Sequence, residues 1–316
     1  MTAEEYLQLH QKISPYIHRT PVLTSQLINK SVGCSIYFKC ENFQKMGAFK
    51  MRGASNAILN LSEEQKSKGV VTHSSGNFAQ ALSLAAKNQG VKAYIVMPSS
   101  APEVKIEAVK GYGGEVIICP PTLKDREEAA EKVIQTTGAT FIHPSNNDDV
   151  IYGQGTAAIE LLEDHPELDA IVTPVGGGGL LAGTALAASL FAPDCEVYAG
   201  EPENVDDAYR SLISGQIESN DSTDTIADGL KTQLGDRNFP IIQKHVKGIM
   251  LVSEKEIIDA LKLIWTRMKI VVEPSSAVAL AAVIRNRKMF IGKKVGIIIS
   301  GGNVDLAKMP FDYHIL

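Results

Sequence analysis

Hydrophobic and polar positions alternate along this chain with two distinct periods. Short runs rich in β-branched residues are separated by longer segments whose apolar residues recur at helical spacing. The predicted strands cover 35–41, 69–75, 92–98, 115–120, 140–144, 168–175, 196–202 and 293–302. The predicted helices cover 51–67, 79–90, 102–113, 122–138, 153–165, 179–192, 255–269 and 275–286. Apolar strands that alternate with helices predict an α/β fold with mostly parallel sheets covered on both faces.

The predicted strands fall into two groups, which indicates two doubly wound lobes. One group predicts a small domain over 69–147, and the rest predicts a large domain formed by 1–68 and 148–316. Ligands of open α/β sheets bind beyond the carboxyl ends of the strands. Functional residues are therefore expected just after the strands, around a cleft between the lobes.

Four consecutive glycines, 176–179, lie between a predicted strand and a predicted helix. Without side chains, their N–H groups can converge on an anion at the helix N-terminus, where the helix dipole also favours negative charge. A flexible linker is the plain alternative, but a linker is not expected directly between two apolar elements. Gly177, Gly179 and Ala182 also satisfy a dinucleotide pattern, with Glu201 about twenty residues on. An NAD-dependent oxidoreductase is therefore a second hypothesis.

Three other polar segments lie at predicted strand ends or beside them. Ser74, Ser75 and Asn77 open a helix and are suited to binding a carboxylate, although an ordinary helix cap would use the same residue types. Ser300 follows the last strand, where the alternative is a plain turn. Lys50, in GAFKMRGA, is either an exposed cation or an amine with a function, since a buried lysine is costly unless paired or neutralised.

Glu201 and Asp207 lie six residues apart in a predicted loop. Carboxylates with backbone carbonyls between them suit a hard divalent cation. A solvated acidic loop is the alternative that the sequence alone favours.

Composition narrows the function classes. The chain has 316 residues, 44% of them hydrophobic, and a net charge of −5, so no basic surface indicates a nucleic-acid partner. The longest apolar stretch, 180–192, is too short to cross a bilayer, and the N-terminus does not resemble a signal peptide. Four scattered cysteines without metal spacing suggest reduced thiols. A cytoplasmic protein without a membrane partner is expected.

Together these segments suit one cofactor. Pyridoxal 5′-phosphate (PLP) needs a phosphate site, a lysine for a Schiff base, a partner for its ring nitrogen and a slot for an amino-acid carboxylate. A nicotinamide enzyme would need neither Lys50 nor Ser300. A non-catalytic small-molecule sensor is a third hypothesis.

A family resemblance adds to this interpretation. The chain resembles the serine racemase and serine/threonine dehydratase group of fold type II PLP enzymes over nearly its whole length, in the family's order. The motifs are GAFKMRGA, SSGN, GQGTAAIELL, GGGGLLAG, EPENVDDAY, TIADGL, VVEPSSAVALAA and SGGNVDL. The resemblance implies a tryptophan synthase β-like fold with PLP in the interlobe cleft. It also implies a homodimer.

The resemblance implies roles for individual residues. Lys50 would hold the cofactor and Ser75 would lie on its opposite face, which makes these two the expected catalytic residues. The cofactor would also contact Phe49, Asn77, Ser300 and the turn formed by Gly176, Gly177, Gly178 and Gly179. The substrate would contact Ser74, Ser75, Asn77, Arg126 and Thr232. A divalent cation (Mg, Ca or Mn) would be held by Glu201, the Val205 carbonyl and Asp207. ATP activates some relatives, and the resemblance leaves open whether it activates this protein.

The implied reaction is racemisation, β-elimination to a 2-oxo acid and ammonia, or both, on a small β-hydroxy amino acid such as serine. Ammonia-lyase activity on threonine or threo-3-hydroxyaspartate is the alternative within the family. Two positions depart from the family pattern. Phe78 replaces the usual histidine after SGN, and Ser145 stands where relatives often have asparagine or an aromatic residue. These departures leave the preferred substrate and the balance of the two reactions open.

Overall fold

The computed structural model of the protein describes residues 1–306 and 309. Its strands are β1 (Val22–Leu23), β2 (Ser35–Cys40), β3 (Val70–His73), β4 (Ala93–Pro98), β5 (Glu115–Cys119), β6 (Thr140–Phe141), β7 (Ala170–Pro174), β8 (Glu196–Pro202), β9 (Val246–Val252) and β10 (Lys294–Ile299). Its helices are α1 (Ala3–Ile13), α2 (Gln26–Val32), α3 (Lys50–Leu59), α4 (Glu63–Lys68), α5 (Asn77–Asn88), α6 (Glu103–Gly111), α7 (Leu123–Thr137), α8 (Asp148–Asp164), α9 (Gly179–Phe191), α10 (Asp207–Ser214), α11 (Phe239–His245), α12 (Glu254–Met268) and α13 (Pro274–Arg285).

The larger sheet has six strands in the order β1-β2-β10-β7-β8-β9. Only the short β1 is antiparallel to its neighbour, and the other pairs are parallel. In the centre, Ile297 of β10 aligns with Phe38 of β2 on one side and Val172 of β7 on the other. Because β10, β7 and β8 are parallel neighbours, the segments that follow them emerge at the same edge of the sheet.

The smaller sheet has four parallel strands in the order β5-β4-β3-β6, all within residues 70–141. The mixed α/β architecture with mostly parallel sheets is as predicted. The assignment of 69–147 to a small domain and of the remaining segments to a large one stays a prediction.

The central strands of the two sheets are buried on both faces, which explains their near-continuous apolar sequences. Along β10, Val295, Ile297 and Ile299 pack into one hydrophobic cluster, and Ile298 packs into another on the opposite face. Neighbouring side chains of a strand point to opposite faces, so only a sheet covered by helices on both sides buries all of them.

The eight predicted strands and all eight predicted helical segments are present, with three kinds of difference. The predicted helix over 51–67 is two helices, because Ser62 caps α4 through a capping box with Gln65. Helix α8 begins at Asp148, where the Asn147 side chain accepts the Val150 N–H, rather than at 153. The prediction missed β1, α1, α2, α10, α11 and β9. None of the described helices is long and apolar enough to cross a membrane.

Candidate active site

Lys50 begins α3 and is the chemical centre of the site. Its Nζ donates a hydrogen bond to the Pro144 carbonyl at 2.7 Å. The same atom lies 4.9 Å from the centre of the Phe49 ring and 5.8 Å from that of the Phe78 ring. Burial lowers the pKa of Lys50 to about 7, although the negative charge of Glu273 opposes this shift. A substantial fraction of this amine is therefore neutral near pH 7 and able to act as a nucleophile or base.

The segment that carries Lys50 is joined to the end of β10. The Phe49 N–H donates to the Ser300 carbonyl at 3.0 Å, and Ala48 forms an isolated antiparallel bridge with Gly301. Ser300 is only 3% exposed, and its hydroxyl lies 2.9 Å from the Ser276 hydroxyl. The structure thus brings Lys50 and Ser300 to one place, although 250 residues separate them in sequence.

Asn77 lies in a hydrogen-bonded chain of polar side chains. Its Nδ2 donates to both carboxylate oxygens of Glu273 at 3.0 Å, and its Oδ1 accepts from Asn303 Nδ2 at 2.9 Å. Asn303 Nδ2 also donates to the Met46 carbonyl at 2.9 Å. Both functional groups of Asn77 are therefore fixed in orientation, and its amide faces the buried end of β10.

Ser74 and Ser75 lie half-buried between β3 and α5. The helix cap is Gly76, and no side chain caps the first turn of α5. Ser74 Oγ accepts only a long contact, 3.4 Å, from the Gly76 N–H. The alternative interpretation of these serines as an ordinary helix cap is therefore wrong, and the first N–H groups of α5 remain available to an anion.

The four-glycine turn joins β7 to α9 at the same sheet edge as Ser300. Gly178 has φ +79°, and a Cβ there would lie 2.6 Å from Leu234 Cδ2. A Cβ at Gly176 would lie 2.7 Å from Leu230 Cα, and one at Gly179 would lie 2.5 Å from Gln154 Oε1. These positions must be glycine for the turn to adopt this path. The first N–H groups of α9 then form a cradle without side chains, suited to a phosphate.

A buried asparagine fixes this cradle. Asn238 Nδ2 donates to the carbonyls of Gly177 (2.9 Å) and Ser145 (3.1 Å), and its Oδ1 accepts from the Gly235 N–H at 3.1 Å. Ser145 is itself 6% exposed and packs against Gly177. Loops from three parts of the chain are thus tied together at the glycine turn.

The two residues expected to contact the substrate side chain differ in their placement. Thr232 is exposed at the glycine turn, with its Oγ1 3.0 Å from the position of a Cβ at Gly177. Arg126 lies on α7, where its Nε reaches the Thr122 carbonyl at 3.4 Å. Its charge contributes, after burial, to a lowered pKa of His73 at the end of β3. Arg126 is therefore near the loop that follows β3, and its described contacts do not include Lys50.

His143 borders Lys50 and the sequence prediction did not single it out. Its Nδ1 accepts the N–H groups of Ser145 (3.2 Å) and Asn146 (2.8 Å). Burial, with smaller effects of His73 and Lys50, lowers the pKa of His143 to about 4. The ring is therefore neutral near pH 7 and carries its proton on Nε2.

Glu201 and Asp207 do not lie in one loop, contrary to the prediction. Glu201 belongs to β8, and Asp207 is the first residue of α10. Both are buried, and the Glu201 carboxylate accepts the N–H groups of Ala208 (2.9 Å) and Tyr209 (2.8 Å). Burial and the neighbouring Asp207 raise the pKa of Glu201 to about 9. The interpretation as a solvated acidic loop is therefore wrong.

Comparison with known proteins identifies the family. A family model described as "Pyridoxal-phosphate dependent enzyme" matches residues 13–301. The chain belongs to the pyridoxal-phosphate dependent enzyme family. It is 53% identical to a serine racemase of Dictyostelium discoideum over 314 residues, which cover 98% of this chain and 97% of that protein. It is 49% identical to a beta-hydroxyaspartate dehydratase of Paracoccus denitrificans, with 98% and 99% covered.

Solved structures agree with this assignment. The crystal structure of the Dictyostelium discoideum serine racemase superposes with a TM-score of 0.93 at 53% identity, covering 97% of this chain and 99% of that one. Threonine deaminase isoform 2 from Solanum lycopersicum gives 0.90 at 31% identity, with 97% and 92% covered. The fold is therefore that of fold type II PLP enzymes. The NAD hypothesis is not supported, so the pattern of Gly177, Gly179 and Ala182 does not mark a dinucleotide site.

Sequence reasoning on this PLP-dependent enzyme missed several residues at the site. Glu273, 4% exposed, caps no N–H of α13 with its side chain and instead contacts Asn77. Burial, with the charge of Asp228, raises the pKa of Glu273 to about 7. The motif VVEPSSAVALAA contains this carboxyl, but no local pattern distinguishes it from a surface glutamate before a helix. Asn238 and His143 likewise gain their importance only from distant partners.

Proposed function

We propose that this PLP-dependent enzyme racemises a small β-hydroxy amino acid such as serine, dehydrates it to a 2-oxo acid and ammonia, or does both. The observation that carries the proposal is the amine of Lys50, with its pKa near 7, held beside the end of β10. The names of the similar proteins, serine racemases and hydroxyaspartate dehydratases, support the substrate class.

The residues present fit PLP. The glycine turn leaves space that side chains would fill, and the N–H groups of Gly176 to Gly179 would hold the phosphate. Lys50 would bind the aldehyde carbon, Phe49 would pack near the ring, and Asn77 and Ser300 would contact the ring hydroxyl and ring nitrogen. When bound, PLP supplies an electron sink that acidifies the Cα–H of an amino acid.

Lys50 and Ser75 would move the protons. The neutral amine of Lys50 takes the proton from Cα on its side, which its pKa of about 7 permits near neutral pH. Return of a proton from the Ser75 hydroxyl on the other side inverts the amino acid. If the β-hydroxyl leaves instead, it departs as water together with a proton, and hydrolysis of the released imine by water gives the 2-oxo acid and ammonia. Ser74, Ser75 and Asn77 would orient the substrate carboxylate through the open first turn of α5.

The purified protein should bind PLP and turn over L- or D-serine, measured by chiral chromatography and by oxo-acid formation. Lys50→Ala should lower turnover by at least about a thousandfold, since it removes both the attachment point and the base. Lys45→Ala changes a lysine of the same segment and should retain activity. A colourless protein that takes up no PLP would contradict the proposal.

The Ser75 variant separates the two faces of the reaction. Ser75→Ala should abolish inversion, because no group then returns a proton on that side, while elimination of the enantiomer that uses only Lys50 persists. Parallel progress curves for both reactions give the ratio directly. Equal losses of racemisation and elimination would show that Ser75 acts on neither face in particular.

Ammonia-lyase activity on threo-3-hydroxyaspartate is a second candidate. Arg126 lies near the loop after β3, where its positive charge contributes to the lowered pKa of His73, and could meet a second substrate carboxylate. Thr232, beside Gly177, could contact the substrate side chain. Arg126→Met should then lower kcat/KM for hydroxyaspartate about tenfold or more relative to serine. A uniform loss for serine, threonine and hydroxyaspartate would remove Arg126 from side-chain recognition.

We also propose that Glu201, Asp207 and the Val205 carbonyl bind a divalent cation: Mg, Ca or Mn. Asp207 Oδ2 is buried without a hydrogen-bond partner among the described residues, and Val205 is fully buried. The described residues contain no cluster of three or more His, Cys, Asp or Glu for a metal, so carbonyls or water would complete the coordination.

Three further proposals rest on the family resemblance. ATP is a proposed activator, tested by the change in kcat/KM that saturating ATP produces at constant free Mg. A homodimer is proposed, tested by light scattering of the eluted protein. The cytoplasm is the proposed location, tested by cell fractionation.

A further inference from the structure

Ser276 lies directly behind Ser300 and has three hydrogen-bonding contacts. It is fully buried in the first turn of α13. Its Oγ lies 2.9 Å from Ser300 Oγ, 2.7 Å from the Gly301 carbonyl and 2.8 Å from the Gly301 nitrogen. In the described part of the chain, Ser276 is the one hydrogen-bond partner of the Ser300 hydroxyl.

The number of hydrogens available limits which of these contacts are hydrogen bonds donated by Ser276. A serine hydroxyl donates one hydrogen and accepts up to two. The Gly301 N–H can only donate to Ser276, and the Gly301 carbonyl can only accept. Ser276 therefore gives its single hydrogen either to that carbonyl or to Ser300. The carbonyl also accepts the Glu273 N–H at 3.0 Å, so it keeps a partner in both cases.

The two arrangements give the Ser300 hydroxyl opposite hydrogen-bonding roles at the cofactor site. If Ser276 donates to the Gly301 carbonyl, Ser300 donates to Ser276 and turns a lone pair towards the cofactor site. If Ser276 donates to Ser300, the hydrogen of Ser300 is free to point towards the cofactor site. Every buried polar atom involved is satisfied in both arrangements, so neither carries the cost of an unpaired group.

We propose that Ser276 is a positioning residue that lets the Ser300 hydroxyl serve the PLP ring nitrogen both as donor to its unprotonated form and as acceptor from its protonated form. This inference rests on the proposed function, which places Ser300 at that nitrogen. A lone serine would favour the unprotonated ring, because accepting from a protonated ring would leave its own hydrogen without a partner. Ser276 removes this penalty and so raises the fraction of protonated ring.

The test is a titration of the bound cofactor. Wild type and Ser276→Ala are loaded with ¹⁵N-labelled PLP, and the ring-nitrogen chemical shift is followed with pH. In Ser276→Ala the midpoint of ring protonation should move down by about one pH unit, the equivalent of one net hydrogen bond. The charged groups around this end of β10 are the same in both proteins: Lys50 and Glu273, the Glu41–Arg52 pair beyond the adjacent end of β2, and the Asp228–Lys105 pair beyond Glu273.

Two controls separate an effect on the direction of the Ser300 hydrogen bond from an effect of packing alone. Ser275→Ala alters the neighbouring buried serine, whose Oγ accepts the Gly229 N–H at 3.0 Å, and should leave the ring-nitrogen midpoint unchanged. In a Ser300→Ala background, Ser276→Ala should cause no further movement, since its effect passes through Ser300. Ser276→Cys, with a weaker hydrogen-bonding group of similar shape, should give an intermediate midpoint and replaces Ser276→Ala should that variant not fold.

The outcomes are distinguishable. A wild-type protein that binds no labelled PLP overturns the proposed function itself. Normal binding with an unmoved midpoint in Ser276→Ala, or an equal movement with and without Ser300, overturns the role of Ser276 and leaves the proposed function standing. A lower midpoint of ring protonation on Ser276→Ala, seen only when Ser300 is present, supports the inference.

Discussion

Two buried clusters of charge in this protein are built on opposite principles. In the first, Arg52 donates to both oxygens of Glu41 (2.7 and 2.8 Å) and of Glu160 (2.8 Å each). Lys39 donates to Glu160 at 2.6 Å and to the Thr20 carbonyl at 2.7 Å. Two cations therefore face two carboxylates. Although burial opposes it, the ion pairs lower the pKa of Glu160 to about 2.

In the second cluster, no described lysine or arginine forms an ion pair with the buried acids. Glu201 and Asp207 are buried together, and their neighbour Asn220 donates to Asp207 Oδ1 at 2.5 Å. Burial raises the pKa of Asp207 to about 6, against the effect of this hydrogen bond, and that of Glu201 to about 9. Among the described residues, the positive charge of Arg210 lowers the pKa of Asp207 less than its hydrogen bonds do, so dipoles provide most of the compensation.

The difference between the two clusters shows which buried charges the chain balances with its own residues. The Arg52 cluster links α3 to β2 and α8 two residues after Lys50, so the position of this amine needs no ligand. The acid pair lies at the end of β8 and the start of α10, beside the strand that leads into the glycine turn, and the proposed cation would balance its charge. Buried charges are stable only when they are paired. A pair supplied by the chain itself needs no ligand, whereas a pair completed by a cation depends on whether that cation is bound.

The largest expected effect comes from breaking the balanced cluster. Arg52→Met removes the ion pair of buried Glu41 and leaves Lys39 as the one cation paired with Glu160, so it should lower the free energy of unfolding by about 3–5 kcal/mol. Urea denaturation measures this loss. Arg285→Met removes an exposed ion pair to Glu256 (2.9 Å) and should cost less than about 1 kcal/mol. Similar losses in both variants would mean that the buried and the exposed ion pairs contribute equally to stability.

Removing the proposed cation from the acid pair should have the next largest effect. Chelation should lower the stability of the wild type by about 2–3 kcal/mol, as expected for a site normally near saturation. Asp207→Asn should make the melting temperature insensitive to chelator. The adjacent Asp206→Asn, whose residue pairs with Arg210 at the surface, should retain the response. An unchanged melting temperature of the wild type on chelation would remove the cation site.

The two clusters should also respond oppositely to pH. Glu160 has a lowered pKa, so its contribution is present above about pH 4.5 and is lost as pH falls towards 2. Without cation, Glu201 and Asp207 have raised pKa values. Their contribution is present below about pH 4 and is lost as pH rises through about 6 and about 9.

Melting temperatures between pH 5 and 8 test this difference. In chelator the stability should fall with rising pH by up to about 1.4 kcal/mol per unit for each acid that is still protonated in the folded state, and added Mg should flatten the slope. In the absence of Mg, Asp207→Asn should reduce the dependence of stability on pH. Identical slopes with and without Mg would mean that the acids already have a partner within the protein.

The smallest effect should come from the dipoles around the acids. Asn220→Ala removes the donor to Asp207 and should lower stability by about 1 kcal/mol, with a larger loss in chelator than in Mg. Asn204→Ala, in the same part of the chain, removes an exposed contact to the Asp224 carbonyl and serves as the control. An equal loss in both variants would indicate that Asn220 does not act through the acid pair.

The amino-acid sequence by itself determined the layered architecture and the kind of chemistry. Apolar strands alternating with amphipathic helices leave few alternatives to parallel sheets, and loops at strand ends are where such sheets bind ligands. The glycines at 176–179 were recognisable because four in a row are unusual between two apolar elements, whereas the local segment of Lys50 favoured an exposed cation and its expected role came from the other segments and the family resemblance. The two-residue strand β1 offers almost no local pattern, whereas α1, with its capping box at Thr2 and Glu5, and the seven-residue strand β9 were missed although local signals were present.

Only the tertiary structure decided which polar groups support that chemistry. Glu273 reaches Asn77 across 196 residues of sequence, and Ser276 reaches Ser300 across 24. The pKa of Lys50 near 7 and those of the buried acids depend on desolvation, which comes from neighbours distant in the chain. Local patterns predict where a backbone turns, whereas burial and charge pairing arise when the chain is packed.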